Sequence, residues 1–195
     1  FTRLVGIDDA KTRLTKLLGV LVNPAGIQSW LERYHRGAKM MLDLVERRPP
    51  LVVLAGDVGS GKTELAETVG DAVARQEDIE ITLFPLSLAT RGSGRVGEMT
   101  KLISAAFDET VTSAKRLKRE NGKAGGGVIL LVDEADALTQ TRETSQMHHE
   151  DRAGVNALIR GIDEIANAKL PCLILMCSNR LGALDPAVLR RAAAV

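Results

Sequence analysis

Short runs of apolar residues alternate along this chain with longer stretches in which apolar positions recur every three or four residues. The continuous runs lie at 51–55, 128–132 and 172–177, and the largely apolar segment 79–88 holds a further candidate strand. They predict four strands, because strands buried on both faces of a parallel sheet lack a polar side. The stretches between them predict amphipathic helices. Strands that alternate with helices indicate an α/β fold, in which helices cover both faces of a parallel sheet.

Several predicted helices have recognisable ends. Asp8 and Asp9 are candidate caps of the first helix, and the second helix is predicted over residues 27–45. The last helix is predicted to begin after Asp185, with Pro186 at its first position. The remaining helices are predicted at about 61–74, 96–117 and 155–165.

Two segments fall outside this pattern. Residues 138–152 are polar and are predicted to form a loop. The adjacent His148 and His149 would point in different directions on a helix or a strand, which favours a solvated loop over a metal site. The chain reaches Val195 within the alternating pattern, and a parallel sheet of this type normally has one more strand. We therefore expect the natural protein to continue beyond Val195, where a further strand would lie.

Composition and charge narrow the classes of function. The chain has 26 lysines and arginines against 25 aspartates and glutamates, and aromatic residues make up only 3%. Nucleic-acid binding is not expected, because it normally requires a basic excess or a surface of stacking aromatics. No apolar run approaches the roughly 20 residues of a membrane-spanning helix. Cys172 and Cys177 lie on opposite faces of one predicted strand. We therefore expect them to be buried, reduced thiols of a cytoplasmic protein rather than a disulfide or a metal-binding pair.

The segment after the first strand has the sequence of a phosphate-binding loop. Gly56, Gly61, Lys62 and Thr63 match the pattern G-x-x-x-x-G-K-[ST]. Glycines allow a tight loop whose backbone N–H groups converge on phosphate, Lys62 is predicted to reach the β- and γ-phosphates, and the Thr63 hydroxyl is predicted to bind Mg²⁺. The predicted nucleotide contacts in this segment are Gly56, Asp57, Val58, Gly59, Ser60, Gly61, Lys62, Thr63 and Glu64.

A second polar group follows the third predicted strand, in the letters VILLVDEADAL. Asp133 ends the apolar run and is predicted to hold Mg²⁺, and Glu134 is predicted to activate the attacking water. Asp136 is expected to be an exposed or capping acid. A DEAD-type helicase would also need a Ser-Ala-Thr motif after this strand, and the next strand instead leads to Asn179, which is placed to sense the γ-phosphate.

Four segments in this order resemble motifs of the AAA+ family: GDVGSGKT its Walker A, LLVDEAD its Walker B, CSN its sensor 1, and LDPAVLRR its arginine-finger segment. The resemblance covers essentially the whole chain. It implies a three-layer P-loop NTPase, with residues 1–195 forming the AAA+ large domain and the helical lid lying outside the chain. It also implies ATP and Mg²⁺ as ligands, and an entry segment whose Val5 and Gly6 lie against the adenine.

The family resemblance implies a ring, usually a hexamer, with ATP at the subunit boundaries. An arginine would then reach the γ-phosphate of a neighbour. The pattern of AAA proteins proper favours Arg190, whereas a variant with a single arginine before alanine favours Arg191. The family's second finger would lie three residues after the first, where this sequence has Ala193, so the choice between the two arginines stays open.

The segment after the second strand matches the position of a pore loop that grips protein substrates in this family. Arg95 and Val96 are the candidate pore residues, with Arg95 where an aromatic residue is usual. The segments VDEADALTQTRE and DRAGVNALIRGIDEI resemble the pachytene-checkpoint type ATPases. That resemblance implies a remodeller of HORMA-domain proteins, of the bacterial type that accompanies nucleotidyltransferases in anti-phage signalling.

Other classes of function are also compatible with an AAA+ domain. A clamp loader or replication initiator would act on DNA, but the net charge of +1 gives no support for that class. A different protein unfoldase would share the same motifs. A nucleotide-gated switch would not need the catalytic acid that Glu134 supplies.

Overall fold

The computed structural model describes residues 1–35, 37, 40–41, 49–88, 97–119, 123–138 and 148–194. Its centre is a five-stranded parallel sheet with the strand order β2-β3-β4-β1-β5. The strands are β1 Leu51–Ala55, β2 Glu80–Ser87, β3 Gly126–Asp133, β4 Cys172–Ser178 and β5 Ala192–Ala194. The helices are α1 Asp8–Val22, α2 Pro24–Tyr34, α3 Lys62–Glu77, α4 Glu98–Leu117, α5 His148–Asn167 and α6 Pro186–Leu189, with 3-10 turns at Ala135–Leu138 and Leu181–Ala183.

The helices form a layer on each face of the sheet, as the sequence predicts. Within β3, Leu130 packs into the core shared with α4 and α5, and its neighbour Ile129 packs into the core shared with α1 and α3. This alternation explains why the strand is apolar throughout, since both of its faces are buried. The same alternation places Cys172 and Cys177 in opposite cores, both buried and free.

The four predicted strands are confirmed, and the fifth is found where none was predicted. We expected a further strand beyond Val195, but β5 lies at Ala192–Ala194 and pairs with β1. Three alanines carry too little apolar side chain to predict a strand from the sequence. Pro85 lies in β2, which is an edge strand, and there the missing N–H breaks no pairing on the outer side.

Several predicted helix ends were wrong. Ile7 occupies the N-cap position of α1 and makes no capping hydrogen bond with its side chain. Asp8 and Asp9 therefore lie in the first turn, where their negative charge stabilises the helix through its dipole. Helix α2 spans Pro24–Tyr34, whereas the second helix was predicted over residues 27–45. Residues 40–41 are also helical, and residues 36, 38–39 and 42–48 lie outside the described part of the chain. Helix α5 begins at His148, within the segment predicted to be a loop.

The short helix α6 begins as predicted. Its first residue is Pro186, and the carboxylate of Asp185 accepts a hydrogen bond of 2.7 Å from the Ala187 backbone N–H. Among the helices that the structure describes, none combines the length and the apolar character needed to cross a bilayer.

Candidate nucleotide-binding site

The loop between β1 and α3 forms one wall of a cavity at the carboxyl ends of the strands. Gly59 and Gly61 have φ angles of 81° and 87°, a region that residues with a side chain rarely adopt. A Cβ on Gly61 would also lie 3.1 Å from the Leu4 side chain. Helix α3 begins directly at Lys62, so its unpaired backbone N–H groups and positive end face the cavity.

The ammonium group of Lys62 lies across this loop. It donates to the carbonyl oxygens of Gly56 and Asp57 at 2.9 and 2.7 Å, and it lies 3.4 Å from the Ser60 hydroxyl oxygen. These contacts hold the cation at the cavity, where phosphate oxygens can replace or join the carbonyl acceptors.

The Thr63 hydroxyl and the Asp133 carboxylate meet across the cavity. The hydroxyl donates to Asp133 Oδ2 at 3.1 Å, and the backbone N–H of Glu134 donates to Oδ1 at 2.8 Å. A hydroxyl and one carboxylate, with the rest of the shell supplied by water and phosphate, are the oxygen ligands that Mg²⁺ prefers. The two residues predicted to hold the metal are therefore adjacent and suited to it.

Glu134 occupies a turn that directs its exposed side chain into the cavity. Its φ is +54°, in the left-handed region, which costs about 1–3 kcal/mol for a residue with a Cβ. The Glu134 carbonyl accepts a hydrogen bond of 2.9 Å from the Ala137 N–H, which closes the 3-10 turn after β3. The turn ends the apolar strand and places Glu134 beside Asp133 in the lining of the cavity.

The position of Asn179 follows from the strand order. Strand β4 lies between β1 and β3, so the residue after Ser178 emerges between the phosphate loop and Asp133. Asn179 is exposed and faces the same cavity of about 320 Å³. The described residues that line this cavity are Val58, Gly59, Gly61, Lys62, Thr63, Glu64, Asp133, Glu134, Cys177, Ser178 and Asn179.

Asp136 was predicted to be an exposed or capping acid, and the structure shows that it is not exposed. Its side chain is 9% exposed, and its Oδ1 accepts hydrogen bonds from the Ser178 hydroxyl and the Asn179 backbone N–H, both at 3.3 Å. The 3-10 turn folds this acid back over the end of β4. No signal in the sequence links position 136 to positions 178 and 179, because the contact forms only when the two strand ends are adjacent.

The two candidate finger arginines lie at the corner between α6 and β5 and have different surroundings. Arg191 forms a two-point ion pair with Asp163 on α5, with Nε–Oδ1 and Nη2–Oδ2 distances of 2.7 and 2.9 Å, and its Nη1 donates to the Ala187 carbonyl at 3.0 Å. The hydrogen bond to Asp163 raises the pKa of Arg191 above its ordinary value. Arg190 is exposed, and within the described part of the chain it has no acidic partner.

Other predicted site residues are placed less directly. Val5 is 89% exposed and Gly6 has a φ of +82°, and neither belongs to the cavity lining, although Leu4 beside them reaches Gly61. Arg95 and Val96 lie outside the described residues, so the pore loop stays a prediction.

The fold and this cavity define a P-loop nucleotide-binding domain. The family model described as "ATPase family associated with various cellular activities (AAA)" matches residues 52–195. The chain belongs to this family.

Particular relatives are more specific. The chain is 72% identical over 193 residues to the CD-NTase-associated protein 6 of Escherichia coli (strain MS 115-1), covering 99% of this chain and 62% of the relative. A chain in the structure of the E. coli MS115-1 HORMA:CdnC:Trip13 complex matches with a TM-score of 0.88 and 70% identity, over 99% of this chain and 63% of that one. The structure of a Rhizobiales Trip13 matches with a TM-score of 0.76 and 52% identity, over 99% and 61%. The chain thus spans about 62% of the length of its curated relative.

Proposed function

We propose that the protein binds ATP with Mg²⁺ in this cavity, hydrolyses it, and uses the cycle to remodel a HORMA-domain protein. The observation that carries the ATPase proposal is the hydrogen bond of 3.1 Å between Thr63 and Asp133. It joins the phosphate loop to the acidic end of β3, and so brings together the hydroxyl and the carboxylate that hold Mg²⁺ in P-loop NTPases.

Each residue of the cavity has a separate task in this proposal. The loop N–H groups and Lys62 bind the phosphates, and Thr63 and Asp133 hold the metal. Glu134 accepts the proton of the attacking water, and Asn179 orients that water or the γ-phosphate. MgATP supplies the phosphoanhydride bond that is broken.

The site needs a further cation, which we assign to Arg190 of a neighbouring subunit. Lys62 is the one cationic side chain in the described lining of the cavity. Charge that develops on a transferred phosphoryl group is commonly stabilised by an arginine from outside the site. Arg190 is exposed for this role, whereas Arg191 is held by Asp163 within its own chain. A closed ring of identical subunits, most simply a hexamer, provides one such arginine per site.

The substrate class rests on the relatives. A chain that is 70% identical over almost the whole of this one forms part of a HORMA:CdnC:Trip13 complex, and the curated relative is called CD-NTase-associated protein 6. We assign the same kind of partner here: a cytoplasmic HORMA-domain protein whose complex with a nucleotidyltransferase is taken apart, with consequences for anti-phage signalling. Arg95 and Val96 are the residues proposed to grip it.

The experiment uses the whole protein, a purified HORMA-domain protein in complex with its nucleotidyltransferase, and the variant Glu134→Gln. The parent should dissociate the complex when ATP is added. Glu134→Gln should lower kcat for ATP by about 10²- to 10⁴-fold, because only proton transfer is lost, while ATP affinity stays within a few-fold of the parent. Glu109→Gln, which changes an exposed acid on α4 in the same way, is the matched control.

The two parts of the proposal can fail separately. An unchanged kcat in Glu134→Gln would contradict the assignment of the catalytic base. ATP hydrolysis without dissociation of the HORMA complex would leave the ATPase intact and would contradict the substrate class.

A further inference from the structure

A buried carboxylate connects the acidic end of β3 to the end of β4. Asp136 lies in the 3-10 turn Ala135–Leu138, two residues after Glu134, and its side chain is 9% exposed. Its Oδ1 accepts hydrogen bonds from both the Ser178 hydroxyl and the Asn179 backbone N–H. A buried carboxyl group needs such donors, since burial of a polar group without hydrogen bonds is unfavourable. The contact therefore joins two strand ends that each contribute a residue to the cavity.

Ser178 extends this contact to the other side of Asn179. Its hydroxyl donates to Asp136 at 3.3 Å and accepts a hydrogen bond of 3.0 Å from the backbone N–H of Arg180. Ser178 is 1% exposed, so solvent does not compete for its hydroxyl. The backbone is thus held at both N–H groups, before and after the α-carbon of Asn179, while the Asn179 side chain stays exposed in the cavity.

The same 3-10 turn also fixes Glu134. The Glu134 carbonyl accepts from Ala137, whose neighbour in the turn is Asp136. A shift of Asp136 would therefore change the position of Asn179 relative to Glu134, and these are the two groups between which a water would be held. We infer that Asp136, together with Ser178, is a positioning pair that sets the Asn179 side chain against Glu134 in the cavity. The inference rests on the proposed ATPase activity.

A purely structural role for Asp136 would have different consequences. If the carboxylate only stabilised the fold, its removal would lower stability and weaken nucleotide binding together with turnover. If it positions Asn179, its removal should lower kcat and leave the KM for ATP nearly unchanged, because Lys62 and the loop N–H groups make the ground-state contacts.

The first measurement is steady-state ATP hydrolysis by the whole protein. Asp136→Ala should lower kcat by about 10- to 100-fold with KM within about 3-fold, as expected when a catalytic group is displaced by around 1 Å. Asp136→Asn keeps an oxygen acceptor in the place of Oδ1 and should stay within about 3-fold of the parent. Ser178→Ala should lower kcat by about 3- to 10-fold, the effect of one lost hydrogen bond.

Thr110→Ala is the matched control for Ser178→Ala. Thr110 is also fully buried and its hydroxyl donates to the Ala106 carbonyl at 2.7 Å, but it lies in α4 and lines no part of the cavity. It should reduce thermal stability without a change in kcat. Equal losses of kcat in the two variants would show a general effect of buried hydroxyls and would overturn the inference.

The second measurement is a double-mutant cycle with Asn179→Ala, followed by single-turnover hydrolysis so that low rates remain measurable. If Asp136 acts through Asn179, Asp136→Ala should change the rate of the Asn179→Ala protein by less than about 2-fold. Rate losses that multiply would mean that the two residues act independently, and the inference would be wrong. If Asp136→Ala does not fold, Ser178→Ala takes its place in the cycle, and the same criterion applies.

The parent and Glu134→Gln are measured in the same assay, which separates this inference from the proposed function. Failure of the parent to hydrolyse ATP, or an active Glu134→Gln, would contradict the ATPase proposal itself. A normal parent, an inactive Glu134→Gln and multiplicative losses for Asp136 and Asn179 would contradict only the positioning pair.

Discussion

The end of β3 and the corner between α6 and β5 differ in whether their charged side chains have partners within the same chain. At the end of β3, the Asp133 carboxylate receives hydrogen bonds from Thr63 and from the Glu134 N–H of the same chain. At the corner, Arg191 is held by Asp163, but the adjacent Arg190 is exposed and, in the described part of the chain, lacks an acidic partner. The chain therefore completes the hydrogen bonds of the proposed metal-binding side internally and presents a cation outward, which suits the proposed sharing of the site between subunits.

The largest effect that distinguishes the two arginines is expected from their removal. Arg190→Ala should lower kcat for ATP by about 10³-fold or more, with ATP affinity changed only a few-fold, because the cation acts on charge that develops during phosphoryl transfer. Arg191→Ala should lower kcat by less than about 10-fold, through loosening of the corner. A larger loss in Arg191→Ala than in Arg190→Ala would reverse the assignment.

The internal cation of the site should show its effect in binding. Lys62→Ala is expected to raise the Kd for ATP by about 10- to 100-fold, since charge-assisted hydrogen bonds to phosphate are lost. Equilibrium titration with a fluorescent ATP analogue measures this, and Lys101→Ala, an exposed lysine on α4, is the control. Unchanged affinity in Lys62→Ala would contradict the phosphate-loop assignment.

The ion pair at the corner should contribute modestly to stability. Asp163→Asn removes the carboxylate from Arg191 and should destabilise the protein by about 0.5–1 kcal/mol, because both partners are partly exposed. That corresponds to a fall of about 1–4 °C in Tm for a domain of this size. Glu164 lies next to Asp163 on α5 and pairs with Lys115 of α4. Glu164→Gln disrupts this more exposed pair and should have a smaller effect. The difference in Tm between the parent and Asp163→Asn should shrink in high salt. If Asp163→Asn has the same Tm as the parent, the ion pair between Arg191 and Asp163 contributes nothing to stability.

The two buried thiols give a prediction about chemical reactivity rather than about ATP binding or turnover. Burial raises the pKa of Cys172 to about 12, and burial together with the nearby Asp133 charge raises the pKa of Cys177 to about 12. At pH 8 the folded protein should therefore react with iodoacetamide at least about 100-fold more slowly than the denatured protein. Since the folded thiols keep their protons while unfolded thiols lose them near pH 9, stability should fall between pH 9 and about 12. The modified cysteines are identified by mass spectrometry. If Cys177 reacts as fast in the folded protein as in the denatured protein, the wall of the cavity opens to solvent and the prediction is wrong.

The sequence was sufficient to predict the placement of those parts of the site that depend on adjacent residues and on strand order. The loop from Gly56 to Thr63 and the pair Asp133–Glu134 each follow an apolar strand directly, so the position of their side chains is a local property. The placement of Asn179 needed only the order of strands in a parallel sheet.

The parts that could not be predicted depend on contacts between distant segments. Asp136 was predicted to be an exposed or capping acid because its donors lie at the end of β4, far away in the sequence. The preference for Arg190 rests on the contact between Asp163 and Arg191, which no local pattern reveals. Strand β5 was missed because its three alanines do not form a run of large apolar residues. Its position is set by its pairing with β1. Long-range pairing, rather than local propensity, decides each of these cases.

Complementation between two defective subunits tests most directly the claim that the site is shared. Glu134→Gln subunits keep Arg190 but lose the proposed catalytic base of their own cavity, and Arg190→Ala subunits keep the cavity but supply no arginine. Each homo-oligomer should be nearly inactive, whereas co-assembled subunits should regain ATPase activity, because an Arg190→Ala cavity then faces an intact Arg190 from its neighbour. An inactive mixture, with co-assembly shown by pull-down of differently tagged subunits, would contradict a site completed in trans.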